Sequence, residues 1–118
     1  MRYMLLIYSE EVADGPPPDP AEMKKWGDYT SEFHASGAML AGEALQPSGT
    51  ATTVRVRDGK PLVSDGPFAE TKEVLGGYYL LDVETLDDAL DWAAKCPAAP
   101  YGSIELRPIM EMPEGYDG

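Results

Sequence analysis

Apolar and polar positions along the chain divide it into short extended segments and two longer helical ones. Residues 3–8 are continuously apolar, which is typical of a central strand that is covered on both faces. Residues 38–45, 75–83 and 103–108 are also predicted strands, because each is a short run rich in apolar side chains. The pattern therefore predicts a sheet with four main strands.

A separate hairpin is predicted in the middle of the chain. Residues 52–57 alternate between polar and apolar side chains, and residues 60–63 follow after the turn dipeptide Asp58-Gly59. A strand, a two-residue turn and a returning strand are the signature of a β-hairpin. The alternation predicts that one face of this hairpin is exposed to solvent.

Two segments have helical periodicity and capping residues. The first begins at the N-cap Asp19 and ends at Gly37, and the second begins at Thr85 and ends at Cys96. The expected buried face of the first helix contains Met23, Trp26, Thr30 and Phe33. The expected buried face of the second contains Leu86, Ala89, Leu90 and Ala93.

The order of elements is strand–helix–strand, hairpin, strand–helix–strand. Two such halves predict an α+β fold of the ferredoxin-like, split βαβ kind with an inserted β-hairpin. We expect residues 1–110 to form this single domain and residues 111–118 to form a flexible tail. Two helices on one face leave the other face of the sheet apolar, so we predict a homodimer whose two sheets pack into a dimeric α+β barrel.

The charge of the chain excludes several classes of partner. Its 118 residues include 21 acidic and 9 basic side chains, for a net charge of −12. Such an excess argues against DNA, RNA and anionic membranes, because binding to phosphate draws its affinity from Lys and Arg. No segment approaches the ~18 apolar residues of a membrane span, and the apolar start lacks the features of a signal peptide. We therefore expect a cytoplasmic protein with no nucleic-acid or membrane partner.

Metal and cofactor motifs are missing from the sequence. His34 is the single histidine and Cys96 the single cysteine, so no Cys/His spacing typical of a zinc site occurs. Gly76-Gly77 does not belong to a phosphate-binding glycine pattern. We predict no metal and no cofactor. His34 lies in the last turn of the first helix, where an imidazolium favours the helix dipole, although a catalytic pair with an acidic partner remains an alternative.

Residues 65–73, Asp-Gly-Pro-Phe-Ala-Glu-Thr-Lys-Glu, contain four ionisable side chains and have two interpretations. In the first, the segment is a turn in which Phe68 fills the core. In the second, it lies at the mouth of a cavity between helices and sheet, where one carboxyl group keeps its proton or the lysine has a pKa near neutrality. The second interpretation makes Asp65 and Glu70 candidate catalytic residues and makes Phe68 and Lys72 candidate binding residues.

Further candidates lie on the predicted strands. Glu43 is the lone charge of its strand, and an unpaired buried carboxylate is unfavourable, so it needs a partner or a wet pocket. Arg55 and Arg107 are candidate partners, while an exposed edge position or a structural ion pair is the alternative. Tyr78 and Tyr79 point to opposite faces of their strand, one expected at the dimer interface and one at the cavity. Glu43, Arg55 and Tyr78 are retained as candidate binding residues.

Residues 65–73 and the following Leu-Gly-Gly-Tyr-Tyr-Leu of residues 75–80 resemble the signature of the DGPF-domain branch of the YCII-related family. The resemblance extends to residues 40–47, Leu-Ala-Gly-Glu-Ala-Leu-Gln-Pro, and to residues 105–108, Glu-Leu-Arg-Pro, and it covers roughly residues 2–110. It implies a dimeric α+β barrel, in agreement with the predicted order of strands.

The resemblance also bears on catalysis. Relatives of the YCII kind carry a histidine early in the first helix and an aspartate before a proline at the end of the second, a pair interpreted as an acid–base dyad. When the helices are aligned on Gly37 and Pro97, these positions fall at or near Trp26 and at Cys96. Neither side chain replaces its counterpart chemically, so the resemblance implies that this dyad is absent here.

Two functions stay open. The first is a small-molecule-binding protein or a cofactor-free acid–base enzyme of the lyase or isomerase kind, because a related domain belongs to a dehydrochlorinase and muconolactone isomerase shares the wider fold. The second is a noncatalytic regulatory protein, because DGPF-type proteins are often encoded beside extracytoplasmic-function sigma factors. The acidic second helix would then be the docking surface for the sigma factor.

Overall fold

The computed structural model describes residues 1–11, 19–113 and 115. Its strands and helices, in chain order, are β1 (Arg2–Ser9), α1 (Pro20–Ala35), β2 (Met39–Ala44), β3 (Thr52–Arg57), β4 (Lys60–Asp65), β5 (Val74–Asp82), α2 (Leu86–Lys95) and β6 (Ser103–Pro108). Half of the predicted tail, residue 114 and residues 116–118, lies outside the described residues. Within the described part of the chain, no helix is both long and apolar enough to cross a membrane.

Four strands form one sheet in the order β2-β5-β1-β6, and neighbouring strands are antiparallel. β1 and β2 flank β5 although α1 connects them, which is the arrangement of a split βαβ unit. The predicted ferredoxin-like α+β fold is therefore confirmed, and the hairpin β3–β4 forms a two-stranded sheet of its own. The predicted dimer stays a prediction.

The core lies between one face of the sheet and the two helices. Alternate residues of β1, namely Tyr3, Leu5 and Ile7, are buried because successive side chains of a strand point to opposite faces. Leu81 of β5 and Phe33 of α1 are fully enclosed against them. The remaining buried members of this cluster are Tyr29, Tyr79, Ala89, Cys96 and Ala98.

The limits of α1 follow the predicted capping residues. The Asp19 carboxylate accepts a hydrogen bond of 2.9 Å from the backbone N–H of Ala21, which satisfies one free donor of the first turn. Gly37 follows the helix with a φ of 80°, a conformation that favours glycine. One part of the predicted buried face is wrong, because Met23 is 61% exposed and Tyr29 is buried in its place. Tyr29 and Phe33 are one helical turn apart and so share a face.

The predicted buried face of α2 is half right. Thr85 caps the helix by accepting a hydrogen bond of 3.1 Å from the N–H of Asp88. Ala89 is fully buried, whereas Leu86 and Leu90 are about half exposed at 51% and 48%. The helix turns its small residues and Trp92 toward the sheet, so the two leucines flank the contact instead of filling it.

The opposite face of the sheet carries the side chains that alternate with the core residues. Met4 and Leu6 of β1 and Tyr78 and Leu80 of β5 lie there and are partly exposed. Glu105 of β6 accepts a 3.3 Å hydrogen bond from the Tyr8 hydroxyl on the same face. Within the described residues no element covers this face, which we call the uncovered face.

Candidate functional site

A cavity of about 630 Å³ opens between α1, one side of the sheet and the segment that follows α2. Its lining residues are Ile7, Ser9, Trp26, Gly27, Thr30, Met39, Gly42, Glu43, Ala44, Gly76, Gly77, Tyr79, Ala98 and Tyr101. The volume falls within the range of ligand pockets, about 300–1,000 Å³. Apolar surface dominates the lining, and hydroxyl groups provide most of its polar side-chain atoms.

A pair of hydroxyl groups lies in the wall of this cavity. The Tyr79 hydroxyl and the Thr30 hydroxyl lie 2.7 Å apart, and either of them can donate to the other. Burial raises the pKa of the Tyr79 phenol, and the hydrogen bond with Thr30 opposes that rise. Tyr79 therefore stays protonated at neutral pH, and the pair can donate one further hydrogen bond and accept others from a molecule in the cavity.

Packing around Tyr79 fixes the position of its hydroxyl. Its ring lies 5.7 Å from that of Tyr29 and 5.4 Å from that of Phe33, measured between centroids. On the β2 side, a Cβ at Gly42 would approach the Tyr79 Cδ1 to 2.5 Å, so only glycine leaves room for the ring there. Tyr79 thus belongs both to the core and to the cavity wall.

The outer wall contains two aromatic side chains. Trp26 of α1 is partly buried, while the Tyr101 hydroxyl donates a 3.3 Å hydrogen bond to Glu22. Burial raises the pKa of the Tyr101 phenol, and the neighbouring Glu22 carboxylate raises it further. A side-chain hydrogen bond with Trp26 acts in the opposite direction. Both phenols of the cavity are therefore neutral hydrogen-bonding groups near pH 7.

The lining of the cavity lacks positive charge, because no Lys, Arg or His occurs among the described residues that form it. Glu43 is paired in register with Tyr78, and Gly42 with Tyr79, so alternation places the Glu43 side chain on the uncovered face. Glu43 therefore borders the cavity mainly through its backbone. Because the lining offers no cation to balance the charge of an anionic ligand, such a ligand would be poorly accommodated in the cavity.

The signature segment lies outside the cavity lining. Asp65 and Glu70 are both exposed, and neither lines the cavity. Phe68 is 77% exposed, so the interpretation that it fills the core is wrong. Lys72 forms an exposed ion pair of 3.3 Å with Glu10, close to the cavity residue Ser9. The structure thus anchors the end of the segment beside the cavity without bringing its candidate acids into it.

The candidate binding residues on the strands are also separated. Arg55 is exposed on the hairpin, and Arg107 binds Glu105 at 2.7 Å on the uncovered face. In the described residues neither arginine pairs with Glu43. Of the two adjacent tyrosines, Tyr79 lies at the cavity, whereas Tyr78 lies on the uncovered face, so they do occupy opposite faces as predicted.

The two positions that the family resemblance singles out lie close to the cavity. Trp26 lines it, and Cys96 is buried in the core cluster that also contains the cavity residue Tyr79. Burial raises the pKa of the Cys96 thiol, so it stays protonated and uncharged. An indole and a neutral thiol therefore stand at the two positions that the resemblance singles out.

Sequence reasoning missed Thr30, Tyr101 and the glycine-lined edge of the cavity as site residues. The spacing of Trp26 and Thr30, four residues apart, was available as a signal that they share a helix face. The helical spacing, however, predicts that both belong to the buried face of the first helix. Tyr101 carried no signal, because it lies in the irregular segment between α2 and β6.

Raising the pH above about 10 is expected to destabilise the protein. Burial raises the pKa of Tyr29, whose hydroxyl donates a 2.8 Å hydrogen bond to the Trp92 carbonyl, and of Tyr79. Because the native state holds these protons above the ordinary tyrosine pKa of about 10, stability is complete below that value and is lost as the pH rises through the native pKa. Each such tyrosine lowers the free energy of unfolding by about 1.4 kcal/mol per pH unit in that range.

Urea unfolding at pH 9, 10 and 11 measures this dependence. The Tyr29→Phe variant should be less stable at pH 9, because the Trp92 carbonyl loses its donor. Its free energy of unfolding should then fall less steeply with pH than that of the wild type, because unfolding releases one tyrosine proton fewer. An unchanged slope in that variant would contradict the assignment of the buried phenol.

Comparison with known proteins places the chain in a family. The model of the YCII-related domain matches residues 1–113, which is nearly the whole chain. An uncharacterized protein of Rhizobium meliloti (strain 1021) is 37% identical over 114 residues, covering 92% of each chain. Together with the confirmed fold, these matches show that the chain belongs to the YCII-related domain family.

Proposed function

We propose that the protein binds an uncharged, mostly apolar organic molecule in the cavity between α1 and the sheet. The observation that carries this proposal is the Thr30–Tyr79 hydroxyl pair, which lies in the wall of a mostly apolar cavity. A few precisely placed polar groups on an apolar wall are typical of small-molecule sites. The apolar lining holds the body of the ligand, and the hydroxyl pair orients one oxygen of it.

Charge supports an uncharged ligand. The lining within the described residues has no basic side chain, and the net charge of −12 repels anions at longer range. A phenol or a ketone would satisfy the hydroxyl pair, whereas a carboxylate would lose its hydration without gaining a cation. The ligand class is therefore an organic molecule with a hydroxyl or carbonyl oxygen.

Binding is favoured over acid–base catalysis by the positions of the candidate acids. Proton transfer through Asp65 and Glu70 requires these carboxylates at the ligand, and both side chains are exposed outside the cavity lining. The phenols of Tyr79 and Tyr101 keep their protons at neutral pH, so they orient a ligand instead of removing a proton from it.

Two finer assignments accompany this proposal. Membership of the DGPF branch is supported by residues 65–73 and by the Gly76-Gly77 start of β5. A homodimer is supported by the uncovered face, where Met4, Leu6 and Leu80 are partly exposed apolar side chains. Apolar faces of this kind on soluble proteins mark interaction surfaces.

Binding of fluorinated probes tests the proposed cavity. We expect 4-fluorophenol to bind the wild-type protein and 4-fluorobenzoate, its anionic counterpart, to bind at least tenfold more weakly, as measured by ¹⁹F NMR titration. Gly27→Leu should abolish binding, because Gly27 borders the cavity and has open space where its Cβ would stand. Tyr79→Phe should weaken it by roughly threefold to tenfold through loss of one hydrogen bond.

The matched control is Ala35→Leu, which places the same side chain at an exposed position of α1 outside the cavity lining. This variant should bind 4-fluorophenol like the wild type. If Gly27→Leu binds the probe as well as Ala35→Leu does, the cavity is not the site. Equal affinity for the two probes would overturn the assignment of an uncharged ligand.

A further inference from the structure

The hairpin β3–β4, residues 52–65, has one apolar face that nothing in the described chain covers. The register pairs Val54 with Val63 and Val56 with Pro61, so these four side chains share a face. The three valines are between 59% and 66% exposed. The opposite face carries Arg55, Leu62 and the basic residues near the turn. We call residues 52–65 the arm.

The arm lies beside the domain instead of packing on it. The described chain is a slab of 48 × 47 × 18 Å with a radius of gyration of 16.7 Å. A compact domain of this length would have a radius of gyration of about 13.5 Å. A lone two-stranded hairpin is at best marginally stable in water. An amphipathic arm of this shape therefore needs a surface from outside its own domain.

We propose that the arm of one protomer packs its apolar face against a second copy of this chain, and that the exchange is reciprocal. This inference rests on the proposed homodimer and assigns to the arm a part in its interface.

Charge favours a second copy as the partner. The arm contains three basic side chains and two carboxylates, which give it a net charge of +1. Because the whole chain has a net charge of −12, the residues outside the arm have a net charge of −13. Two copies that met only through their bodies would bring like charges together. The basic residues lie on the face opposite the valines, so an arm of net charge +1 adds less repulsion to the contact than a further part of the acidic body would.

The area that a stable dimer interface needs also favours a second copy of this chain as the partner. At about 4.8 Å between strands and 3.3 Å per residue, the four-stranded uncovered face has a footprint of about 400 Å². A standard stable interface buries about 800 Å² on each partner. The arm has a footprint of about 200 Å², and in a reciprocal exchange each copy both gives an arm and receives one. The exchange therefore brings the contact to the size that a stable dimer needs.

Sedimentation velocity over a dilution series, with two adjacent lysine substitutions, tests the arm. Val63→Lys places a charge on the apolar face, whereas Ser64→Lys places the same charge on the opposite face of the same strand. We expect a wild-type dimer, at least a tenfold rise in the dimer dissociation constant for Val63→Lys, and less than a threefold change for Ser64→Lys. Tryptophan fluorescence and thermal unfolding confirm that both variants keep the core.

A third variant separates failure of the arm from failure of the dimer. Leu6→Lys places a charge on the uncovered face and should yield monomers in which the amides of residues 52–65 exchange hydrogen rapidly. A wild-type protein that is monomeric at every concentration would overturn both the homodimer and the arm. A dimer that Leu6→Lys breaks and Val63→Lys leaves intact would overturn the arm alone. Protected arm amides in the Leu6→Lys monomer would mean that the arm's own chain covers it, which also overturns the proposal.

Discussion

Replacing Phe33 with alanine is expected to lower the free energy of unfolding by about 3–5 kcal/mol. Phe33 is fully buried, and its ring stacks on Trp92 with a centroid distance of 4.2 Å and an interplanar angle of 6°. It also contacts the rings of Tyr29 and Tyr79. Removing it leaves a cavity among three aromatic neighbours that cannot close without losing their own contacts.

The second phenylalanine of the chain is the matched control. Phe68 is 77% exposed, so Phe68→Ala should change the free energy of unfolding by less than about 0.5 kcal/mol. Urea unfolding followed by tryptophan fluorescence measures both variants at a protein concentration low enough to favour the monomer. Equal losses of stability in the two variants would contradict the burial on which this prediction depends.

The fold was predictable because local and global signals agree in it. The apolar run of β1 and the alternation of β6 give the strands, and the caps at Asp19 and Thr85 give the beginnings of both helices. Element order alone then selects the split βαβ arrangement. Each of these signals lies within a few residues of the element that it predicts, so tertiary contacts were not needed to interpret it.

Burial within the helices was less predictable. Met23 and Tyr29 both lie near the inner side of α1, and the sheet beneath the helix decides which of them is enclosed. In α2 the close approach of the helix to the sheet favours Ala89 and leaves Leu86 at the margin. Which side chains are buried depends on the position and tilt of each helix on the sheet, and the helical period of the sequence specifies neither of these.

The candidate site was the least predictable feature. The signature segment drew attention to Asp65 and Glu70 because four ionisable residues lie close together in the sequence there. The cavity forms instead where an aromatic helix face meets glycines of β2 and β5, and its polar atoms include the hydroxyls of Thr30 and Tyr79. Such a site arises from residues distant in the chain whose individual types are also typical of a core.

Substitution of alanine for Gly42 is expected to disrupt the cavity and the core together. The new Cβ would lie 2.5 Å from Cδ1 and 2.9 Å from Cε1 of Tyr79, whose ring is enclosed by Tyr29 and Phe33 and has little room to move. Overpacking of this kind typically costs about 1–3 kcal/mol of stability. Because the displaced ring carries its hydroxyl away from Thr30, the affinity for 4-fluorophenol should fall by roughly threefold to tenfold, as in Tyr79→Phe.

Gly27→Ala provides the contrast, since both glycines border the same cavity. No atom lies within 4 Å of the Cβ that Gly27 would gain, and the position is inside α1, where alanine stabilises a helix by up to about 1 kcal/mol relative to glycine. We expect Gly27→Ala to unfold at higher urea concentration than the wild type and to retain most of its affinity for 4-fluorophenol. Urea unfolding and ¹⁹F NMR titration of the two variants measure both effects. If Gly42→Ala matches Gly27→Ala in stability and affinity, close packing of β2 against Tyr79 does not hold the hydroxyl pair in place.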